Sequence, residues 1–435
     1  MVPTAEVEAP SFPEMLRHKR VQAGLTQRTL ADLSTISPRT IRALESGRVN
    51  ARMQTVRLLA DALRLEGLSR ELFVNAGLGS GRPGPAGTDP WPSVPRSVNA
   101  LLGRDVEVRA MVGALASDHR RMISMSGLPG VGKSRVATEV AVRLSARRGW
   151  PVLWIGSGPV EVDGHGAAAG SLLKALRLLV ESRAQDVSAV CRLIGRSEVL
   201  LVLDGVADAG SPVAGVRDLL AYCPGLRVVS TSRTPWRVTG VQGTVVPPLA
   251  VPGPDWEASR SLDVLAGVPS VRLLVDRLSE VRPGFALGRA EAEAVVRLCR
   301  RLDGLPVALE AAAAGSRVLS LRQLADLPDA YLLDLPAATR SGAAPKTTGP
   351  ETIGDLVLAG FEQLDAELRT VLRELVAFDA APTVSEAAEA LRRPLNQVVE
   401  DLGTLMGCGF VRASHEEAET RLHLPDLLRA ALARR

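Results

Sequence analysis

The stretch Arg121–Arg135, RMISMSGLPGVGKSR, constrains what this chain can fold into more than any other. Met122 to Met125 is apolar enough for a buried strand, a glycine-rich turn follows, and a helix opens at Lys133-Ser134. Gly127-x-x-x-x-Gly132-Lys133-Ser134 fits the P-loop pattern in full. The physical reason is specific. Polyphosphate needs several backbone N–H groups converging on it, which only a loop poor in side chains allows, and the N-terminus of the following helix adds partial positive charge. Lys133 is suited to neutralise β- and γ-phosphate oxygens and the Ser134 hydroxyl to ligate Mg²⁺. The candidate nucleotide-binding residues in this stretch are Gly127, Gly130, Val131, Gly132, Lys133, Ser134 and Arg135.

A strand, loop and helix of this kind need a sheet around them, and 435 residues are too many for one ordinary core, so several domains are expected. With 46% hydrophobic but only 3% aromatic residues, the packing should be aliphatic and rich in helix. No run of about eighteen apolar residues marks a membrane span. The acidic start MVPTAEVEAPSFPEML lacks the apolar centre of a signal peptide, so a cytoplasmic location is expected. Cys191, Cys223, Cys299 and Cys408 are scattered without metal-ligand spacing and read as reduced core thiols. The formal charge of +4 is mild, so nucleic-acid contact should be local.

Local positive charge lies at the N-terminal end. Between Phe12 and Leu58, nine basic residues stand against three acidic ones, a net of +6. Phe12 to Ala23 has helical spacing through Phe12, Leu16 and Val21 and stops at Gly24. Thr26 caps a helix from Gln27 to Ser34 with Leu30, Ala31 and Leu33 as its apolar face. Ser37 caps a third, with Pro38 at its first position and Ile41 and Leu44 inward. A fourth runs from Met53 to Leu65, and Ser69 to Ala76 suggests a fifth. Two short helices joined by a tight turn suit a helix-turn-helix, whose second helix enters the major groove by its N-terminal end. Leu16 to Arg20, Gly24-Leu25-Thr26-Gln27, Leu30-Ala31, Ile36-Ser37, Thr40-Ile41, Leu44-Glu45 and Gly47 make the stretch resemble the Cro/repressor-type (XRE-like) DNA-binding domain. The resemblance implies a double-stranded DNA partner. It further implies phosphate contacts from Gln27 and base or phosphate contacts from Ser37, Arg39, Thr40 and Arg42, with Arg28 in the same DNA-binding set.

After a Gly/Pro-rich tether, strands expected at Pro151–Ile155, Glu198–Asp204, Leu226–Thr231 and Gly243–Leu249 alternate with helices near 134–147, 170–183 and 211–222. This argues a parallel sheet covered on both faces, with phosphate at its carboxyl edge. Val199 to Asp204 is a hydrophobic strand ending in a carboxylate, the shape of a Walker B element, so Asp204 joins Ser134 as a candidate Mg²⁺ residue and is the candidate catalytic one. Val228 to Arg233 delivers Arg233 to the same edge. Together with Gly103-Arg104-Asp105 and Gly304-Leu305-Pro306, these stretches resemble an NB-ARC domain of the STAND class of signalling NTPases. The resemblance extends from about Leu101 to the C-terminus. It implies ATP or ADP with Mg²⁺, and it places Arg104 and Pro306 in the nucleotide site. Beyond a second linker, helices at Asp355–Leu364, Ala366–Ala377, Ser385–Leu391 and Leu395–Met406 precede a hairpin of Phe410–Ser414 and Thr420–Leu424, which suits a winged helix. Its Glu416-Glu417 tip would repel DNA phosphate, and in this family the domain acts as a nucleotide-dependent lever.

The pattern breaks in two places. The family's closing Met-His-Asp motif corresponds to Leu424-Pro425-Asp426, where proline cannot supply the imidazole, and His423 substitutes only if the register shifts. Gly205 stands where many relatives carry a second acid that positions the attacking water, and Asp208 is three residues further on. Slow hydrolysis, or binding without turnover, is therefore expected. No repeat of 20 to 50 residues follows the winged helix, so a partner protein would supply the sensor, or the nucleotide is itself the signal.

The expected boundaries are a disordered N-terminus at 1–11, the helix-turn-helix at 12–76, a linker at 77–97 and a P-loop domain at 98–255. A small helical subdomain follows at 256–335, then a linker at 336–350 and a winged helix at 351–435. The expected function is a nucleotide-gated transcriptional regulator that oligomerises on DNA. The alternative is a signalling or defence platform whose helix-turn-helix binds protein.

Overall fold

The computed structural model describes residues 12–65, 70, 73–74, 76–77, 94, 99–117, 120–156, 190–191, 194–205, 212–236, 241–253, 256, 261–337, 352–415 and 419–434. The readings made above for residues 1–11, for a helix at 170–183, for Asp208, for most of both linkers and for Glu416-Glu417 lie outside them. The described residues divide into two compact units. One is drawn from 1–98, 108–123 and 137–230, the other from 99–107, 124–136 and 231–435.

The first unit begins with helices α1 (Phe12–Gln22), α2 (Gln27–Ser34), α3 (Pro38–Glu45) and α4 (Met53–Ala62). Local chemistry sets their ends. The Thr26 hydroxyl accepts from Thr29 N at 3.0 Å, the Ser37 hydroxyl accepts from Thr40 N at 3.1 Å, and Pro38 takes the first helical position, where an N–H has no intrahelical partner. Phe12, Leu16, Leu30, Ala31, Ile41, Leu44, Val56, Leu59, Ala60, Leu63 and Phe73 form one apolar core, and the Phe12 and Phe73 rings meet at 5.2 Å. Two expected core residues are outside it: Val21 is 61% and Leu33 57% exposed. At 100° per residue, Val21 stands about 140° round the helix from Leu16. Leu33 falls on the far side of Leu30 from Ala31 and Ser34, the other buried positions of α2.

Next come α5 (Asp105–Ala116), β1 (Met122–Ser126), α6 (Lys133–Arg148), β2 (Val152–Gly156), β3 (Val199–Asp204), α7 (Pro212–Tyr222), β4 (Leu226–Thr231) and β5 (Gln242–Val245). The strands form a five-stranded sheet in the order β2-β3-β4-β1-β5. β2 and β3 pair in parallel, from Val152 opposite Leu200 to Gly156 opposite Asp204. Every residue of β1 and β4 is buried, and so is β3 up to Leu203, as expected of strands covered on both faces. β5 stops at Val245, short of the expected Leu249, because Pro247 and Pro248 have no N–H to extend a ladder.

The second unit continues through α8 (Leu262–Gly267), α9 (Pro269–Val281), α10 (Arg289–Arg301), α11 (Pro306–Gly315), α12 (Leu321–Asp326) and α13 (Asp329–Leu333). After these come α14 (Ile353–Glu362), α15 (Ala366–Val376), α16 (Val384–Leu391) and α17 (Leu395–Cys408), then the antiparallel strands β6 (Arg412–His415) and β7 (Thr420–His423), and finally α18 (Asp426–Ala433). Phe410, expected in the hairpin, belongs to the end of α17: its N–H donates to Leu405 O at 3.0 Å, beyond Gly409 in the left-handed conformation. Cys223, Cys299 and Cys408 are buried and Cys191 half-buried, all as free thiols. Among the described residues no helix is long and apolar enough to cross a membrane.

Candidate functional site

The turn between β1 and α6 is built for close approach. Gly127, Gly130 and Gly132 have φ of 142°, 76° and 96°, the left-handed side that side chains disfavour. At Gly130 space is closed as well, since a Cβ there would meet Val307 Cγ1 at 2.2 Å and Leu356 Cδ2 at 2.8 Å. A Cβ on Gly360 of α14 would likewise meet the Pro129 ring at 2.9 Å, so the loop packs against α14 through an absent side chain. Lys133 Nζ curls over the loop and donates to Gly127 O at 2.8 Å and Leu128 O at 2.9 Å. The ammonium therefore lies against the glycine turn at the opening of α6. This donor set of backbone amides, one lysine and the Ser134 hydroxyl has the chemistry that a nucleotide polyphosphate with its Mg²⁺ requires.

The Gly304-Leu305-Pro306 turn adjoins this loop. Gly304 O accepts from Leu249 N at 3.0 Å, and Val307 N donates to Gly130 O at 3.4 Å, which ties the start of α11 to the glycine turn. Arg104 is 3% exposed, with its guanidinium donating to Pro247 O and to Glu107 Oε1 at 3.3 Å. Burial lowers its pKa, with Glu107 opposing. Arg135 donates to Asn99 O and, at 3.1 Å, to Ala100 O. Arg104, Gly130, Val131, Gly132, Arg135 and Pro306 thus line one cavity, walled further by Leu101, Leu102, Leu249, Leu273 and Val307 and carrying one carboxylate, Glu310.

The remaining candidates stand apart from that lining. Asp204 closes β3, and Gly205 after it has φ 65°, a backbone conformation that a replacement acid would adopt only with strain. Arg233 is exposed and follows the end of β4, whose neighbour in the sheet is β1; Ser232 N donates to Met125 O at 2.9 Å. His423 ends β7 with its Nε2 2.7 Å from Ser414 Oγ. It opens onto a different hollow, bordered by Phe378, Asp379 and Arg429.

In the helix-turn-helix, Arg28, Arg39 and Arg42 are exposed, while Thr40 and Gln27 are half-buried. Glu45, at 6% side-chain exposure, accepts from Arg20 Nε at 2.6 Å and Nη2 at 3.1 Å and from Gln27 Nε2 at 2.6 Å, while Arg20 Nη1 donates to Leu25 O at 2.9 Å. Burial raises the Glu45 pKa, but the Arg20 and Gln27 hydrogen bonds outweigh it and hold the carboxyl below its usual range. Arg42 Nε donates to Gln27 Oε1 at 3.4 Å, so one chain of polar contacts runs from Arg20 through Glu45 and Gln27 to Arg42. Ser37 is occupied as the cap of α3.

Sequence reasoning passed over Glu310, Asp303 and α18. Glu310 reads as an ordinary helix glutamate. Asp303 looks like a turn residue, and only the fold brings the N-terminus of α18 onto its carboxylate, with Asp426 N at 3.0 Å and Leu427 N at 2.9 Å. The available signal was Pro425-Asp426, a proline and an acid at a helix start.

The helix-turn-helix family model HTH_3 matches residues 16–67. The "Putative HTH-type transcriptional regulator Rv0890c" of Mycobacterium tuberculosis is 29% identical over 313 residues, which is 71% of this chain and 33% of that protein. The chain therefore spans about a third of the length of that relative. The "Uncharacterized protein Mb0918" of Mycobacterium bovis is 30% identical over 289 residues, covering 66% of this chain and 67% of that one. Among solved structures, a STAND protein with a tetratricopeptide repeat sensor from Pyrococcus horikoshii covers 80% of this chain and 44% of its own, at 15% identity and a TM-score of 0.32. With two thirds of Mb0918 covered at that identity, the chain belongs to the Mb0918 family.

Proposed function

We propose that this protein is a nucleotide-gated, DNA-binding transcriptional regulator. In this reading an ATP- or ADP-binding core of NB-ARC type controls conformation and oligomerisation. The observation that carries it is the glycine turn at 127–132, clasped by Lys133 and tied through Gly130 O to the Gly304-Leu305-Pro306 turn. Lys133 and Ser134 would hold the phosphates and Mg²⁺, with Asp204 as a second Mg²⁺ residue and Arg233 as a γ-phosphate sensor. Arg104 and Pro306 would flank the nucleoside. The bound nucleotide would supply charge that differs between its di- and triphosphate forms, and only contacts that differ between two conformations can shift their balance. Leu128, Pro129 and Gly130 pack against Gly409, Gly360 and Leu356, so a displacement of the loop would be felt directly by the C-terminal helices and hairpin, read here as a winged-helix lever.

The helix-turn-helix would be the output. Arg28, Arg39, Thr40 and Arg42 would meet duplex DNA, with Gln27 and Ser37 at the phosphates, and oligomerisation would raise the effective concentration of weakly binding heads. The name of the mycobacterial relative Rv0890c supports the regulator reading. Gly205 supports slow or absent hydrolysis. The test is native mass and operator-independent DNA affinity measured with ATP, ADP and no nucleotide. ATP is expected to change both, Lys133→Ala to abolish nucleotide binding and both changes, and Arg39→Ala/Arg42→Ala to reduce the salt dependence of DNA binding by about two ion equivalents. A mass and DNA affinity indifferent to nucleotide would refute the gating. Salt-dependent duplex binding untouched by the arginine changes would favour a protein-binding helix-turn-helix instead.

A further inference from the structure

We propose that Glu310 reads the nucleoside end of the nucleotide, accepting a hydrogen bond from a base amine or a sugar hydroxyl and so setting which nucleotides the pocket keeps. This rests on the nucleotide-binding reading of the P-loop above.

Three charged side chains line one cavity: Arg104, Arg135 and Glu310. Arg104 is committed to Pro247 O and Glu107, and Arg135 to the backbone carbonyls of Asn99 and Ala100. Both arginines therefore brace the walls. Glu310 differs. Its nearest cation, Arg277 Nε, is 3.7 Å away, beyond hydrogen-bond length, and Arg277 is itself held by Glu280 and by Asp276 at 3.2 Å. Glu310, its side chain about 30% exposed, thus lines the cavity with a carboxylate that is ion-paired with Arg277 but takes no hydrogen bond from it. Burial raises its pKa against the pull of Arg277 and Arg135, so a donor arriving from the ligand relieves a desolvated group.

Position points the same way. Glu310 sits one helical turn beyond Pro306-Val307 on α11, and Val307 N is bound to Gly130 O. The carboxylate is therefore held at a set distance from the glycine turn. The other walls, including Leu101, Leu102, Leu249 and Leu273, are apolar and suit a flat ring. In such a slot a carboxylate acceptor discriminates, because a ligand presenting a carbonyl oxygen in place of a donor meets repulsion.

The test uses the full chain and four magnesium nucleotides: ATP, ITP, 2′-deoxy-ATP and 3′-deoxy-ATP. The wild type should prefer ATP by tenfold or more. If the preference is over ITP, Glu310 reads the base amine; if it is over a deoxy form, Glu310 reads the ribose. Glu310→Ala should cut that preference below about threefold by weakening ATP, leaving the disfavoured nucleotide nearly unchanged, and the near-isosteric Glu310→Gln should fall between. Thermal transitions of both variants without nucleotide should match the wild type, which separates a reading role from a packing one. Wild-type affinities and preferences retained in both variants would overturn the proposal and leave the nucleotide-binding reading standing. A wild type that binds none of the four would sink that reading itself, and the proposal with it.

Discussion

Asp303 offers a sharp test of how burial and a helix terminus compete. It occupies the turn before Gly304 with φ 51° and accepts the backbone N–H groups of Asp426 and Leu427, the first two residues of α18. A helix N-terminus favours a carboxylate. Burial opposes this more strongly and pushes the Asp303 pKa from 3.8 up to about 7. An acid whose pKa is raised on folding holds its proton more tightly in the native state. Its stabilising contribution is therefore complete below pH 3.8 and is lost as the pH climbs through about 7. At 1.36 kcal/mol per unit, the interval from pH 5 to pH 8 carries about 2–3 kcal/mol, and solvent access to the half-buried side chain moves the expectation to about 2 kcal/mol. Asp303→Asn has no proton to lose. The assay is amide hydrogen exchange of α18, corrected for intrinsic rates, which reads local opening without requiring the whole chain to unfold at once. Between pH 5 and pH 8 wild-type α18 should lose about 2 kcal/mol of protection relative to Asp303→Asn. Parallel pH profiles, or a wild type that gains protection relative to the variant as pH rises, would refute the assignment of burial as the dominant influence.

Other perturbations follow from the same packing. Gly130→Ala places a Cβ 2.2 Å from Val307 Cγ1 at a left-handed backbone; it should lower the thermal transition by about 2 kcal/mol equivalent and weaken any nucleotide binding together with it. Glu45→Ala leaves the 12%-exposed Arg20 side chain and the Gln27 amide without their acceptor, and should cost about 3 kcal/mol in helix-turn-helix stability, with little recovery in low salt; a cost under 1 kcal/mol would show that the pair is not energetically buried. Phe73→Ala removes a fully buried ring tilted against that of Phe12 and should cost about 3–5 kcal/mol by denaturant titration, which would tie the segment around Phe73 to the helix-turn-helix core.

Much of the fold was legible because short-range rules decide it. Thr26, Ser37 and Pro38 announce helix starts through hydrogen bonds and φ values that they satisfy themselves, and both caps stand as read. The short apolar run Val199–Leu203, ending in a carboxylate, suits a strand buried on both faces, and it is one. At one residue's precision the arc of the helix prevailed: Val21 and Leu33 are apolar yet exposed, because each stands off the buried stripe of its helix.

The amino-acid sequence alone determined that a glycine turn with Lys133 and Ser134 must follow a strand and open a helix, since those residue types at that spacing suit few other backbones. What only tertiary structure decided is which distant groups meet that turn. The arrival of Glu310 in the cavity that Arg104 and Pro306 line, the capping of α18 by Asp303, and the seating of Gly360 against Pro129 all join residues far apart in the chain. Burial, and hence the raised pKa of Asp303 and Glu310, is a property of that assembly. A sequence carries the chemistry of each side chain, while dielectric and partner are supplied by whatever the folded chain brings beside it.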